Sequence, residues 1–233
     1  MCCGQIIADS RQVALIYSDR PPFPLYYFPK LDVRMDLLQH TNHVRELGPG
    51  QAHYWSMKIG DKVIEDAAWN FPGVVSGSYN LEEYFSFDWD KMDAWFEEAE
   101  EVFVHPHDPH HRIDTLYGST HVAVMLDGQT LADSHNPVVL FETGLPTRYY
   151  LPTIDLRMDL LVPSDTITRC AYKGTANYYS AQIGGKLVPD LAWYYRFTTT
   201  ETSKIAGRVA FYNEHVDLYI DGELVERPQT PWS

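Results

Sequence analysis

The residues best suited to chemistry lie in the second half of the chain, in the stretch Cys170-Ala171-Tyr172-Lys173-Gly174. Because a nearby cation favours the thiolate over the thiol, Lys173 could activate Cys170 as a nucleophile. A lone cysteine is more often a small buried apolar residue, and no histidine stands at an obvious partner position in the sequence. Thiol catalysis and simple burial of Cys170 therefore both stay open.

Arg157 and Asp159 are the next candidates, because they lie in a sequence segment, here called the repeated phrase, that occurs in the chain in two similar copies. The second copy of this segment is LPTIDLRMDLLVP, at residues 151–163. The first copy is FPKLDVRMDLLQH, at residues 28–40, in which Arg34 and Asp36 are the matching pair. One interpretation is a local ion pair that fixes a turn, because buried charges are rarely left without partners. The other is the polar floor of a pocket, in which Arg157 grips an anionic or carbonyl group and Asp159 acts as an acid or base.

Aromatic residues that recur in both halves form the predicted ligand-binding set. Tyr150, Tyr178 and Trp193 each have a counterpart in the first half. Those counterparts are Tyr27, Tyr54 and Trp69. Most such rings are expected in the core, but adjacent residues on a strand face opposite sides, so one member of a neighbouring pair can line an apolar pocket. With Arg157 as the charged group, the three rings predict a site for a small anionic or carbonyl-bearing ligand.

The histidine-rich stretch HPHDPHH, at residues 105–111, invites comparison with a metal site. Imidazole and carboxylate side chains are legitimate metal ligands. The spacing matches no recognised ligand set, the prolines indicate an extended connector, and the second half has no equivalent stretch. We therefore predict a linker here, no metal and no cofactor.

The sequence segments that must position these residues occur in two copies. The segment GQIIADS at residues 4–10 matches GQTLADS at residues 128–134, and the longer segments at residues 53–69 and 177–193 also match each other. The spacing far exceeds the ~20–50 residues of a solenoid repeat, and it fits a duplicated domain. We predict a first domain at residues 1–112 and a second at residues 113–233, packed as a pseudo-dimer.

Each domain is predicted to be mainly β, as a small antiparallel roll, tent or sandwich with one short helical turn in the repeated phrase. The pairs Asp127-Gly128 and Asp221-Gly222 supply the positive φ of tight hairpin turns, and β-branched or aromatic runs flank them. Trp89, Met92, Trp95 and Ala99 are spaced as in a helix. The counterpart of this segment reads as a hairpin, and duplicated domains share a fold. A hairpin is therefore predicted in both copies.

The stretch from Tyr149 to Trp193 closely resembles the domain of unknown function 427 family. The matching elements are Tyr-Tyr-x-Pro, Asp-x-Arg-Met-Asp-Leu-Leu, Cys-x-x-Lys-Gly, an aromatic pair, a Gly-Gly turn and Ala-Trp. The resemblance covers nearly the whole chain as two copies, and it implies a compact, mostly β domain without a settled activity. The family is also labelled nucleotidyltransferase-like, but the chain has no glycine-rich phosphate loop of the Walker type.

Charge and composition narrow the range of partners. The chain has 32 acidic and 18 basic residues and a net charge of −14, which opposes binding to nucleic acid. No apolar run approaches the ~20 residues needed to cross a bilayer, and the three cysteines do not suggest a disulfide framework. We expect a cytoplasmic protein with a small-molecule ligand, no nucleic-acid or membrane partner, and possible homo-oligomers.

The two copies differ where the reactive residues stand. The stretch Glu46–Gly50, which aligns with Cys170–Gly174, shares only the glycine with it. In addition, Met1–Cys3 align with Met125–Asp127, so the first copy has no counterpart of the first strand of the second copy. A single site is therefore predicted in the second domain. Three functions stay open: a small-molecule binding module, an enzyme that uses acid–base or thiol chemistry through Asp159, Cys170 and Lys173, and a non-catalytic protein-interaction module.

Overall fold

The computed structural model describes residues 1–17, 23–230 and 233. The chain separates into two compact units, residues 1–108 and 109–233. Both consist of antiparallel strands with short 3₁₀ helices, so the predicted mainly β fold with short helical turns is confirmed. Packing of the units as a pseudo-dimer stays a prediction. Within the described ranges, no helix has the length and apolar character needed to cross a membrane.

The first domain is built around one six-stranded sheet in the order β1-β2-β8-β5-β4-β3. Its strands are β1 (Ala14–Ile16), β2 (Leu25–Pro29), β3 (Leu38–Leu47), β4 (Gly50–Ile59), β5 (Lys62–Asn70), β6 (Val75–Ser76), β7 (Tyr79–Asn80), β8 (Tyr84–Phe87), β9 (Trp95–Glu97) and β10 (Glu100–Val102). Its 3₁₀ helices are η1 (Lys30–Asp32), η2 (Met35–Leu37), η3 (Leu81–Glu83) and η4 (Trp89–Lys91). The pairs β6–β7 and β9–β10 form separate hairpins.

The second domain has three sheets, in the orders β11-β14-β15, β13-β12-β20-β21 and β16-β17-β18-β19. Its strands are β11 (Ile113–Tyr117), β12 (Val122–Leu126), β13 (Gln129–Ser134), β14 (Val138–Glu142), β15 (Arg148–Tyr150), β16 (Leu161–Cys170), β17 (Gly174–Ile183), β18 (Lys186–Tyr195), β19 (Val209–Phe211), β20 (Asp217–Ile220) and β21 (Glu223–Leu224). Its 3₁₀ helices are η5 (Thr153–Asp155), η6 (Met158–Leu160) and η7 (Ser203–Ile205).

The predicted hairpin turns are present where the sequence placed them. Asp127 and Gly128 have φ of 50° and 75°, and Asp221 and Gly222 have φ of 51° and 87°. These left-handed values match the right-handed twist of the flanking strands, and Asp and Gly adopt them most readily. In the first domain the helix-like segment forms η4 followed by the β9–β10 hairpin, which turns at Glu98 with φ of 53°. The hairpin prediction for both copies is therefore confirmed.

Strands β17 and β18 carry apolar side chains on both faces, so the second domain has two cores. One face presents Tyr178, Trp193 and Tyr195 to what we call the aromatic core, while neighbouring Tyr179 and Tyr194 pack against the other core. The aromatic core comprises Val138, Leu140, Tyr150, Ala176, Tyr178, Trp193, Tyr195, Ile205 and Ala210. This arrangement follows from the two-residue period of a strand.

The first domain lacks the strand that corresponds to β12. In the second domain, β12 lies between β13 and β20, and its Val122 and Val124 are core residues. In the first domain Trp89 stacks on Trp95 with 4.5 Å between ring centroids. The matching residues of the second domain are smaller, Asn213 and Tyr219. We infer that the two indole rings supply apolar volume that the missing strand would otherwise provide.

Candidate functional site

The repeated phrase places Arg157 and Asp159 at the surface, paired with each other. Arg157 donates from Nε and Nη2 to Oδ1 and Oδ2 of Asp159 at 2.8 and 2.6 Å, and the side chains are 51% and 60% exposed. Hydrogen bonds from Arg157 lower the pKa of the Asp159 carboxyl. Arg34 and Asp36 form the same pair in the first domain. The geometry is that of a local ion pair.

Arg157 and Asp159 are exposed and pair with each other, and neither belongs to the aromatic core. No hydrogen bond or ion pair within the described part of the chain joins either side chain to Cys170, Lys173 or the predicted rings. A role for Arg157 or Asp159 in ligand binding or catalysis stays a prediction, and the site described below is built without them.

Cys170 and Lys173 belong to the turn between β16 and β17. Cys170 lies opposite Gly174 in the strand register, and in the first domain Leu47 lies opposite Gly50. Leu47, rather than Glu46, is therefore the positional counterpart of Cys170, and the turn is one residue longer in the second domain. Gly174 has φ of 101°, and a Cβ there would lie 2.9 Å from the Phe197 carbonyl oxygen. The turn therefore packs closely against the backbone of Phe197 and Thr198, which follow β18.

The extra length of this turn brings Lys173 to a buried carboxylate. Lys173 Nζ contacts both oxygens of Glu142, at 2.6 Å for Oε1, and the side chains are only 10% and 5% exposed. His111 places Nε2 3.2 Å from Glu142 Oε1 and stacks on Tyr172 with 4.1 Å between ring centroids. Glu142 was not a sequence candidate, since it is a single acid at the end of an apolar strand. His111 packs against Glu142 and Tyr172 of the second domain, so this end of the histidine-rich stretch is part of the domain and not of an extended linker.

Two tyrosine hydroxyls lie in the same neighbourhood. Tyr150 is 1% exposed and accepts a hydrogen bond from Trp193 Nε1 at 3.0 Å. Burial raises the pKa of Tyr150, the Trp193 bond lowers it, and the nearby Glu142 charge raises it further. Burial also raises the pKa of Tyr195, with Tyr150 and Cys170 adding to the effect. Both phenols therefore stay protonated at neutral pH and can donate a hydrogen bond.

A second buried ion pair borders the aromatic core. Arg148 donates to both carboxylate oxygens of Glu214 at 2.7 and 2.6 Å, and the side chains are 7% and 0% exposed. The guanidinium lies over the rings of Trp193 and Tyr212, 5.4 and 5.8 Å from their centroids. Burial would raise the pKa of Glu214, but hydrogen bonds from Arg148 and Thr230 outweigh it and leave that pKa lowered. Both cations near the core are therefore already neutralised.

The three predicted ring residues come together, but as packed core. Tyr150, Tyr178 and Trp193 are 1%, 8% and 7% exposed and belong to one cluster. Tyr178 Oη shares a hydrogen bond with Thr168 Oγ1 at 2.8 Å. The rings fill the space between the strands, so what they supply to a ligand site is a rigid wall behind β17 and β18.

An open depression lies at the same end of β17 as Lys173. It has a volume of about 320 Å³ and is lined by Thr175, Asn177, Arg196 and Phe197. Phe197 is 82% exposed. Arg196 is also exposed, and its guanidinium makes no hydrogen bond or ion pair with the residues the structure describes. An uncompensated cation beside an amide, a hydroxyl and an aromatic ring is suited to an anionic or carbonyl group.

Two other features offer less. A depression of about 420 Å³ in the first domain is lined by Asp9, Ser10, Arg11, Gln12 and Asp32, which include no aromatic ring. Across residues 1–17, 23–230 and 233, no group of three or more His, Cys, Asp or Glu side chains is placed to hold a metal ion.

A model of the family described as "Domain of unknown function (DUF427)" matches residues 1–98 and residues 114–222. The chain belongs to the DUF427 family. The two matches are the two copies recognised from the sequence, so the prediction of tandem DUF427 domains is confirmed. A comparison with curated proteins gives no match.

The two DUF427 domains share their scaffold and differ at the site. Trp69 Nε1 donates to Tyr27 Oη at 3.3 Å, as Trp193 does to Tyr150. Leu25 stands in the first domain at the position of Arg148, and Leu47 at the position of Cys170. The sequence alone could have revealed this difference at Leu25, because a charged residue replaces an apolar one beside the recurrent Tyr-Tyr pair.

Proposed function

We propose that the second DUF427 domain binds a small anionic or carbonyl-bearing molecule at the depression lined by Thr175, Asn177, Arg196 and Phe197. The observation that carries the proposal is Arg196, an exposed guanidinium in a chain with a net charge of −14. Glu142 and Glu214 already neutralise the buried cations Lys173 and Arg148, whereas the exposed Arg196 is available to a ligand.

The lining residues have complementary roles. Arg196 presents a planar fork of donors that matches a carboxylate or phosphate in two hydrogen bonds. Asn177 and Thr175 add an amide and a hydroxyl, which both donate and accept. The Phe197 ring supplies an apolar wall, and the aromatic core holds β17 and β18 rigidly behind them. A cation in a cleft attracts an anion despite the acidic surface, because distant exposed charges are screened.

The first domain lacks this arrangement. Its residues at the matching positions are Gln51, His53, Pro72 and Gly73. Without a guanidinium or a phenyl ring at these positions, the first domain is not expected to bind the same ligand. This difference supports one site per chain.

The test is a nuclear magnetic resonance titration of the whole chain with acetate, pyruvate and inorganic phosphate. We expect saturable amide shifts near Thr175 and Arg196 and their loss in Arg196→Gln. Arg208→Gln is the matched control, because Arg208 is a partly exposed arginine of the same domain outside the depression and donates to the Asn136 carbonyl. Shifts that survive Arg196→Gln, or that fall equally in Arg208→Gln, would refute the proposal.

Thiol or acid–base chemistry is the second candidate, favoured by the buried Lys173–Glu142 contact close to Cys170. An activated Cys170 should react with iodoacetamide faster than glutathione does at pH about 7, since reactivity follows the thiolate fraction. Peptide mapping by mass spectrometry separates Cys170 from Cys2 and Cys3. The rate should fall in Lys173→Met, which removes the cation. A Cys170 that is no faster than glutathione argues for ligand binding alone.

A further inference from the structure

The repeated phrase carries several side chains that are exposed to solvent in both domains. Leu31 and Ile154 occupy matching positions, and they are 97% and 89% exposed. The Arg–Asp pair that follows each of them in the sequence has the same exposure in the two domains, 51% for Arg and 60% for Asp. We call this set the exposed face. It consists of Leu31, Arg34 and Asp36 in the first domain and of Ile154, Arg157 and Asp159 in the second.

Folding does not require the exposed face. The turn in each phrase is held from below by a serine–aspartate hydrogen bond, Ser10 to Asp32 at 2.5 Å and Ser134 to Asp155 at 2.6 Å. An aliphatic side chain that stays in water gains nothing from the hydrophobic effect, and exposed ion pairs contribute little to stability. Two copies that differ at many other positions have therefore kept a surface that packing does not explain.

The composition of the exposed face makes it complementary to itself. Each face carries one guanidinium, one carboxylate and one aliphatic side chain, so its charges cancel. A two-fold rotation sets the guanidinium of one face opposite the carboxylate of the other and brings the aliphatic side chains together. The internal pair uses Nε and Nη2 of each arginine. Nη1 therefore keeps donors for a carboxylate of another chain.

We propose that the exposed face is a self-association surface, and that its occupant is the same kind of face on a second copy of this chain. A strongly charged partner would gain nothing from a neutral face. The exposed aliphatic side chains of Leu31 and Ile154 supply apolar contact at the centre, and the Arg–Asp pairs fix the register around them.

Sedimentation equilibrium of the whole chain from about 1 µM to about 500 µM tests the proposal. We expect concentration-dependent association whose first step is a dimer, and at least about a tenfold increase in the dissociation constant of that step for Leu31→Glu with Ile154→Glu. Leu31→Ser with Ile154→Ser gives a second, uncharged variant, and circular dichroism verifies that each variant is folded. A chain that stays monomeric throughout, or a dimer that both variants leave unchanged, overturns the proposal.

Charge variants separate self-complementarity from simple stickiness. Arg34→Asp with Arg157→Asp makes every face acidic, and it should abolish the dimer. Exchanging Arg and Asp at both faces keeps opposite charges opposite under the two-fold rotation, so this four-fold variant should dimerise like the natural chain. Arg208→Asp, the same change of charge at a partly exposed arginine outside the face, should have no effect on association. An exchanged variant as weak as the acidic one overturns the proposal.

Discussion

Breaking the buried Arg148–Glu214 pair should destabilise the second domain strongly. Arg148→Met removes the guanidinium and leaves the Glu214 carboxylate, 0% exposed, with the Thr230 hydroxyl as its remaining side-chain donor. Removing one partner of a buried ion pair typically costs about 3–5 kcal/mol. Whole domains are stable by only about 5–15 kcal/mol, so this change removes a large share of the stability of the domain.

The double variant Arg148→Met with Glu214→Leu should cost much less. Replacing both partners of a buried pair by apolar residues is often neutral, because no uncompensated charge remains. In the first domain Leu25 stands at the position of Arg148, so the shared scaffold accepts an apolar side chain at that position. Loss of the contacts with the Trp193 and Tyr212 rings leaves a residual cost of about 0.5–2 kcal/mol.

Urea unfolding followed by amide hydrogen exchange measures the two domains separately. The single variant should lower the protection of β17 and β18 in the second domain and leave β4 and β5 of the first unchanged. Arg157→Met is the control, because Arg157 is an exposed arginine of the same domain, and it should behave like the natural chain. A double variant as unstable as Arg148→Met would refute the reasoning, since the cost would then come from lost packing.

The same pair predicts a pH dependence. The folded pKa of Glu214 lies below its ordinary value of 4.5, so the ionised form is favoured in the folded state. Its contribution is complete above about pH 4.5 and is lost as the pH falls through the folded pKa. The stability difference between the natural chain and Glu214→Gln should therefore be constant near neutral pH and shrink in acid, as measured by urea unfolding across that range. A difference that grows in acid would contradict the assignment.

Further predictions concern both domains. Trp95→Ala should destabilise the first domain by about 3–5 kcal/mol, the usual cost of removing a buried Trp ring, and Trp89→Ala, which removes a partly buried ring, should cost less, as measured by urea unfolding. A chain cut between Arg112 and His121 should give a second domain that folds cooperatively alone and a less stable first domain, as calorimetry of the two pieces would show. His111→Gln should lower the melting temperature measured by calorimetry, because the His111 ring lies 3.2 Å from Glu142 Oε1 and stacks on Tyr172.

Local signals and the comparison of the two copies together predicted the fold well. The Asp-Gly turns are short-range features, and the structure has them. The hairpin at Trp95–Val102 was predicted from its counterpart in the second copy, because its own spacing is helix-like. The missing strand followed from comparing the two copies. The compensating stack of Trp89 on Trp95 did not, because helix-like spacing drew attention to the period of these residues rather than to their size.

The site was harder to predict because its contacts join distant residues. Glu142 and Lys173 are separated by 31 positions, and Arg148 and Glu214 by 66. No motif relates them. The Glu142–Lys173 pair, for example, forms because the end of β14 lies next to the turn before β17, and this proximity depends on how the sheets assemble. Repetition drew attention to Arg157, but a repeated residue can be a surface residue.

The most direct test of the account is the amide shift map of the whole chain titrated with pyruvate, which carries both a carboxylate and a carbonyl. We expect saturable shifts in the second domain, centred on Thr175, Asn177 and Arg196, and none at Gln51 and His53. Equal shifts in both domains, or saturable binding elsewhere with Arg196 unaffected, would contradict a single site in the second DUF427 domain.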